Sequence, residues 1–349
     1  MKAKICVLAT AIAAVLGNLA PPALAQTNVR VLGGFSNQLQ NTAIEKPFFE
    51  NLDKVSGGKV KAQFRFIDEV GLKGYDGVRQ LQTGIFQIMA ISPGYVAGDE
   101  PFFIGMDMPG VALELGLARK TVDAYRNAFD ERLQQKFGGK LLALWPYPGQ
   151  VFFCKGAISG LDGLQGKKVR VFSPALAALV EHFGGTPVTV PFSEVYQGLQ
   201  RGIVDCAISA SLSGNTAKWF EVADHIYPLA ISWGMQGHAA NLDFWKGLPA
   251  DQRQLLTKEF GRMEEQMWSV AQAATQDGVN CNAGIGKCER GTPAKMKIIT
   301  VSDSDRAKLK VAVEKAVLPK WSADCKRTYP DCAKVWNSTI GKLVGISIN

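Results

Sequence analysis

The chain has 349 residues, 47% of them hydrophobic and 20% charged, with a formal net charge of +8, and that length accommodates two domains of ordinary size. The positive charge is spread without blocks of five or more like residues. That spread argues against a nucleic-acid partner and fits an anionic ligand, an anionic membrane nearby, or simply a basic surface.

At the N-terminus, Lys2 and Lys4 precede an apolar run from Ile5 to Leu16, then Pro21, Pro22 and Ala23-Leu24-Ala25 ahead of Gln26. A positive start, an apolar run too short to span a bilayer and an A-x-A site make up a secretory signal. Residues 1–25 are therefore expected to be removed, with the mature chain starting at about Gln26 in the periplasm. Loss of Lys2 and Lys4 leaves 37 Lys+Arg against 31 Asp+Glu, a net +6.

Of the seven cysteines, Cys6 leaves with the signal. Cys281 with Cys288 and Cys325 with Cys332 share a C-x6-C spacing over loop-forming residues, and each pair is read as a disulfide closing a surface loop. Cys154 and Cys206 lie in strand-like runs; they pair if those strands are neighbours, or remain buried thiols. There is no C-x2-C, and His182, His225 and His238 are far apart in sequence, so no metal or other cofactor is expected.

In chain order, Asn28 to Gly33 alternates as an opening strand, and the polar loop Ser36-Asn37-Gln38 starts a helix through Phe48, Phe49 and Leu52 that Gly57-Gly58 ends. Lys59 to Ile67 is a second strand, Tyr75 to Gly84 a short helix and Ile85 to Ser92 a buried strand. This β-α-β-α-β order predicts an α/β lobe. Gly138 to Trp145 and Gln150 to Lys155 are strands at which the chain crosses into a second lobe. There, Leu161 to Val171 is a one-turn helix, a glycine stop and a strand; Pro174 to Phe183 is a helix closed by Gly184-Gly185; Thr186 to Val190 is a strand. Ser193 to Arg201 forms a helix with Ser193 as its cap, and Ile203 to Ser209 a further strand. From Pro249 to about Asp277 one long helix carries Leu255, Leu256, Phe260, Met263, Met267 and Val270 on one apolar face, which is read as core.

The block Pro191-Phe192-Ser193-Glu194-Val195-Tyr196-Gln197-Gly198-Leu199-Gln200-Arg201-Gly202-Ile203-Val204-Asp205, following Gly166-Lys167-Lys168-Val169-Arg170-Val171, resembles the substrate-binding proteins of TRAP transporters, the DctP-like family. With the long helix, the resemblance covers nearly the whole mature chain. It implies an α/β, two-lobed periplasmic binding protein with mixed sheets, crossing strands and a long lobe-spanning helix. Lobe I would hold residues 26–149 plus about 236–275, and lobe II 150–235 plus about 276–349. It implies a monomer with no enzymatic activity, which captures a small organic acid and delivers it to the integral membrane subunits of a sodium-coupled importer. A sensor serving a membrane receptor, or a C4-dicarboxylate or sugar-acid carrier, is the alternative on the same fold.

The resemblance also gives Arg170 the ligand carboxylate, a task suited to a guanidinium that stays charged and offers parallel N–H donors. By itself Arg170 reads equally as a surface strand residue. Two departures bear on the ligand: Gln150 stands where many members have a second arginine, and Ser209 where many have asparagine. A monocarboxylate with a keto, hydroxy or aromatic remainder is favoured over an acid charged at both ends. Phe172 shares the face of Arg170 and either stacks on a ligand or packs in the core. Tyr147 near the crossing, Trp219 and Trp233 near the return strands, and Asn37, Gln38 and Glu69 in first-lobe loops complete the candidates, with the core reading favoured for both tryptophans. Glu194 and Tyr196 are read as braces of their helix. No G-x-S-x-G, H-E-x-x-H, P-loop or dinucleotide motif is present.

Overall fold

The computed structural model describes residues 26–349, so the signal, its cleavage and Cys6 lie outside the described residues. The first sheet grows from β1 (Thr27–Gly33), which pairs in parallel with β2 (Val60–Phe66) and β3 (Ile88–Ile91). β2 is an edge strand and alternates: Lys61, Gln63 and Arg65 are exposed while Val60 and Phe66 are buried. All four residues of β3 are buried, as expected of an apolar strand covered on both faces. Residues 93–137, for which no element is expected above, contain a 23-residue helix, Leu115–Phe137, that buries Ala118, Val122, Tyr125, Phe129 and Leu133 at helical spacing. β4 (Gly139–Pro146) follows it.

At 147–149 the chain leaves this sheet and enters the second through β5 (Gln150–Cys154). β6 (Lys168–Val171), β7 (Thr186–Thr189), β8 (Cys206–Ala210), β9 (His225–Tyr227) and the two-residue β11 (Lys297–Ile298) complete it in the order β11-β9-β5-β8-β6-β7. β10 (Met235–Asn241) then crosses back and inserts antiparallel between β3 and β4, giving β2-β1-β3-β10-β4. Both sheets are therefore mixed, and two crossings, at 147–149 and just before β10, join the lobes.

The long helix is Ala250–Ala283, 34 residues ending at Gly284 with φ +67°, and thus about 51 Å in length. It braces both sheets. Trp268 Nε1 donates to the Leu144 carbonyl of β4, while Asn282 Nδ2 donates to the Ser211 carbonyl just after β8. Its buried face keeps Leu256, Phe260, Met263 and Met267 but continues through Trp268, Ala271 and Ala274; Leu255 and Val270 are only half-buried.

Cys281–Cys288 and Cys325–Cys332 are disulfides. So is Cys154–Cys206, because the register places these residues opposite each other on β5 and β8, with Cα atoms 4.0 Å apart. Ser193 is not a helix cap. The segment opens as a 3-10 turn, Phe192–Glu194, before the helix Val195–Gln200, and no side chain caps either one. The C-terminal helices touch both lobes: Trp321 and Trp336 donate to the carbonyls of Pro101 and Gly105 in the first, while residues 313–328 pack on the second-lobe helix Pro174–His182.

Candidate functional site

In an open α/β sheet the carboxyl ends of parallel strands meet at a crevice. Four such ends converge here, as β1 leads to Gln38, β3 to Ser92 and Tyr95, β6 to Phe172, and β8 to Ser209 and Ser213. Together with Gly94, Tyr147, Gln150, Phe192, Gly234 and Met235 they enclose a cavity of about 40 Å³ between the lobes. The rings of Phe35 and Phe192, with centroids 5.5 Å apart, meet across the cleft. Lys73 from the first lobe pairs with Glu194 from the second at the surface. Gly94 is required where it stands, because a Cβ there would lie 2.9 Å from the Phe172 ring.

Among the described residues Arg170 is the only charged one lining the cavity, and it is 1% exposed. Nε donates to the Val190 carbonyl at 2.9 Å and Nη1 to the Ile208 carbonyl at 2.7 Å, which fixes the fork, while Cζ sits 5.3 Å from the centre of the Phe172 ring. No carboxylate forms a salt bridge with it among the described residues. The contrast is Arg132, also buried, whose Nη2 lies 2.6 Å from Glu100. Backbone carbonyls return only part of the solvation that a buried guanidinium gives up, so this site carries an uncompensated positive charge.

The other polar groups are neutral. Burial pushes the Tyr95 and Tyr147 phenols up from their ordinary pKa, although the Arg170 charge pulls Tyr95 the other way; both remain protonated. Gln150 is buried, and its Nε2 donates to the carbonyls of Pro148 and Trp233, both at 3.1 Å. Its Oε1 is thereby left as an acceptor. Gln38 is held by Asn41, whose Nδ2 donates to Gln38 Oε1 at 3.1 Å and to the Phe35 carbonyl at 3.0 Å. Behind this loop the Glu45 carboxylate receives the Gly34 N–H at 3.0 and 3.2 Å and lies 2.6 Å from His238 Nε2, with both side chains fully buried. The site can therefore hold one anionic group on a fixed cation and surround the remainder with neutral donors, acceptors and the Phe172 and Phe192 rings.

Of the residues singled out from sequence, Arg170, Phe172, Gln150, Ser209, Tyr147 and Gln38 come together on the cavity wall, whereas Trp219 is fully buried away from it. Trp233 does not line it. Its indole N–H donates to the Ala112 carbonyl and the ring packs in the core, so only its backbone supports the site, through Gln150. Asn37 is exposed, one residue from the lining residue Gln38. Glu69 is exposed, accepts the Phe66 N–H at the end of β2 as a local brace, and does not line the cavity. Ser92, Tyr95 and Met235 were not anticipated. For Ser92 and Tyr95 a signal existed, since Ser92-Pro93-Gly94-Tyr95 follows a buried strand, but the antiparallel insertion of β10 that brings in Met235 has no local mark.

Residues 35–323 match the model of the bacterial extracellular solute-binding protein, family 7 (DctP). The chain is similar to the ectoine-binding periplasmic protein TeaA of Halomonas elongata, with 30% identity over 52% of this chain and 54% of that protein. It is also similar to the C4-dicarboxylate-binding periplasmic protein DctP of Rhodobacter capsulatus, with 30% identity over 69% of this chain and 73% of that one. Its match to the two ectoine-binding relatives thus spans about half their length. In fold it resembles a TRAP periplasmic solute-binding protein of Desulfovibrio salexigens with bound orotic acid, at TM-score 0.81 and 16% identity over 91% of this chain and 100% of that one. It also resembles DctP6 of Bordetella pertussis, a solute receptor binding pyroglutamic acid, at TM-score 0.78 and 21% identity over 89% and 100%.

Proposed function

The chain belongs to family 7 of the bacterial extracellular solute-binding proteins, and from that premise we propose that it captures a small organic acid in the periplasm and hands it to the membrane subunits of a TRAP-type importer. The observation that carries this reading is Arg170, a buried guanidinium with no carboxylate partner among the described residues, set in a cavity whose described lining contains no acid. An incoming carboxylate supplies the missing charge through charge-assisted hydrogen bonds, about twice as strong as neutral ones. Because the favourable contacts come from both lobes, ligand shifts an open-to-closed equilibrium about the two crossings, without turnover and without a cofactor. The moving bodies in this reading are residues 26–149 with about 236–275 and residues 150–235 with about 276–349, working as a monomer.

The cavity favours an acid with one carboxylate. A second carboxylate reaching Gln150 would meet its free amide oxygen, an acceptor, so a ligand N–H or O–H suits that part of the cavity better. The relatives and structural neighbours, with ectoine, pyroglutamate, orotate and C4-dicarboxylates among their ligands, support a small acid and leave its remainder open. Thermal melting against pyroglutamate, orotate, malonate, galacturonate, ectoine and neutral sugars tests the reading. A true ligand at a hundred times its Kd adds about 2.7 kcal/mol, and only carboxylates are expected to raise the midpoint. A neutral sugar that stabilises the protein while every carboxylate fails would refute it.

A further inference from the structure

The segment that crosses back before β10 is gripped by one loop of the first lobe, residues 107–112. Gly110 N donates to the Ile231 carbonyl at 2.7 Å, and the Trp233 indole donates to the Ala112 carbonyl at 3.0 Å. The central element of the grip is the Asp107 carboxylate. It accepts three consecutive backbone N–H groups, from Trp233 to Oδ1 at 3.0 Å and from Gly234 and Met235 to Oδ2 at 2.8 and 3.1 Å. Consecutive N–H groups converge on one anion only where the backbone forms a nest, and Gly234, with φ +67°, supplies the left-handed residue that makes one.

This segment is also part of the ligand site. Gly234 and Met235 line the cavity, the Gly234 carbonyl receives the Tyr147 N–H, and the Trp233 carbonyl receives the Gln150 amide. A Cβ at residue 234 would lie 2.6 Å from Gln150 Nε2, so the backbone path here and the Gln150 side chain fix each other. We propose that Asp107 is a positioning residue of the binding site, whose carboxylate holds the 233–235 segment in the one path that presents Gln150, Gly234 and Met235 to an organic acid. This rests on the binding function proposed above.

A pH dependence follows. Burial pushes Asp107 up to about 6, against the pull of its three N–H donors. A small side cavity beside it is walled by Ile104, Phe172, Ser173, Leu176 and Ser232, none of which titrates. The titratable groups on the surrounding elements are Glu100, which is paired with Arg132; Tyr95 and Tyr147, both kept neutral by burial; Arg170 beyond the Phe172 ring; Glu181 and His182 toward the far end of the helix Pro174–His182; and the exposed Arg306 and Lys310 on the helix Asp303–Ala312, whose Leu309 packs against Gly110. Because the folded value exceeds the ordinary aspartate value of 3.8, the stability contributed by protonation is complete below that value and is lost as pH rises through about 6. The same proton converts an acceptor of three N–H groups into a poorer one, so acidification loosens the 233–235 grip locally while the global fold gains.

Amide hydrogen exchange on the ligand-free protein reads this directly. Asp107→Asn keeps the shape but cannot accept all three donors, and exchange at Trp233, Gly234 and Met235 should quicken at least about tenfold while Val31 and Phe152 in the sheet cores keep their protection. Unchanged protection at the three amides, or an increase shared by Val31 and Phe152, overturns the proposal. Should the variant not fold, the wild-type protein gives the same reading. From pH 7.5 to 5, after correction for intrinsic rates, protection at the three amides must fall relative to Val31, and a flat ratio overturns the proposal. Titration with pyroglutamate, which stays ionised over this range, adds the functional arm. Affinity should weaken several-fold on acidification in the wild type and show no such profile in Asp107→Asn; identical profiles overturn the positioning role. If the wild type ignores pyroglutamate at every pH, that acid is not a ligand, and the exchange result still decides the role of Asp107.

Discussion

Arg170→Met is expected to abolish every carboxylate-induced rise in the melting midpoint while leaving the ligand-free protein at least as stable as the parent. The two halves of this result come from the same geometry. Arg170 donates to the carbonyls of Val190 and Ile208 and to no carboxylate, so its removal leaves no buried anion stranded. The loss is about two neutral-acceptor hydrogen bonds, on the order of 1 to 3 kcal/mol each since the donor is charged. Against it stands the desolvation penalty of a buried ion, several kcal/mol, which methionine of similar length avoids. With ligand bound the sign reverses. Removing one partner of a buried charged pair costs about 2–5 kcal/mol, enough to take a micromolar site beyond the range of an ordinary titration. Melting curves with and without the acid separate the two terms, and an intact ligand shift in Arg170→Met would show that the anion sits elsewhere.

Glu45→Ala is expected to destabilise the fold by about 3–5 kcal/mol, the usual range for breaking a fully buried charged or hydrogen-bonded pair by deleting one member. Glu45 and His238 are both fully buried, and the carboxylate is also the acceptor for the Gly34 N–H, which has no other partner among the described residues. Deletion therefore orphans a donor and an imidazole together. The effect should reach the ligand as well, because Gly34 opens the loop that carries Gln38 to the cavity, although Glu45 does not itself line it. Urea denaturation checks the first part through the midpoint at unchanged slope. A loss below about 1 kcal/mol would mean that water replaces the carboxylate without cost.

These residues also show what a sequence conveys and what it withholds. Arg170 was legible because a strand, a glycine stop and a helix start lay at family spacing around it, and the strands β1, β2, β5, β6 and β7 followed from alternation or apolar runs. β10 was not legible. Met235 to Asn241 reads MQGHAAN, with little β-branched character, and it is a strand because tertiary pairing on both sides overrides weak local preference. The helix Leu115–Phe137 did carry a local signal, with Ala118, Val122, Tyr125 and Phe129 at helical spacing, diluted by the charged residues between them. The displaced candidates are instructive in the same way. Asn37 missed the cavity by one residue because the face presented by a loop follows no period, whereas along β6 the two-residue period placed Arg170 and Phe172 correctly on one side. Asp107 left no trace in the sequence, since its three donors are more than a hundred residues away.

The most direct measurement is calorimetric titration with the acid that gives the largest thermal shift, set beside its own primary amide, which has nearly the same shape but no charge. If the buried Arg170 guanidinium waits for an anion, the amide should bind at least about a hundredfold more weakly, on the order of 2.7 kcal/mol. The difference should vanish in Arg170→Met. Equal affinity for acid and amide in the wild-type protein would contradict the account.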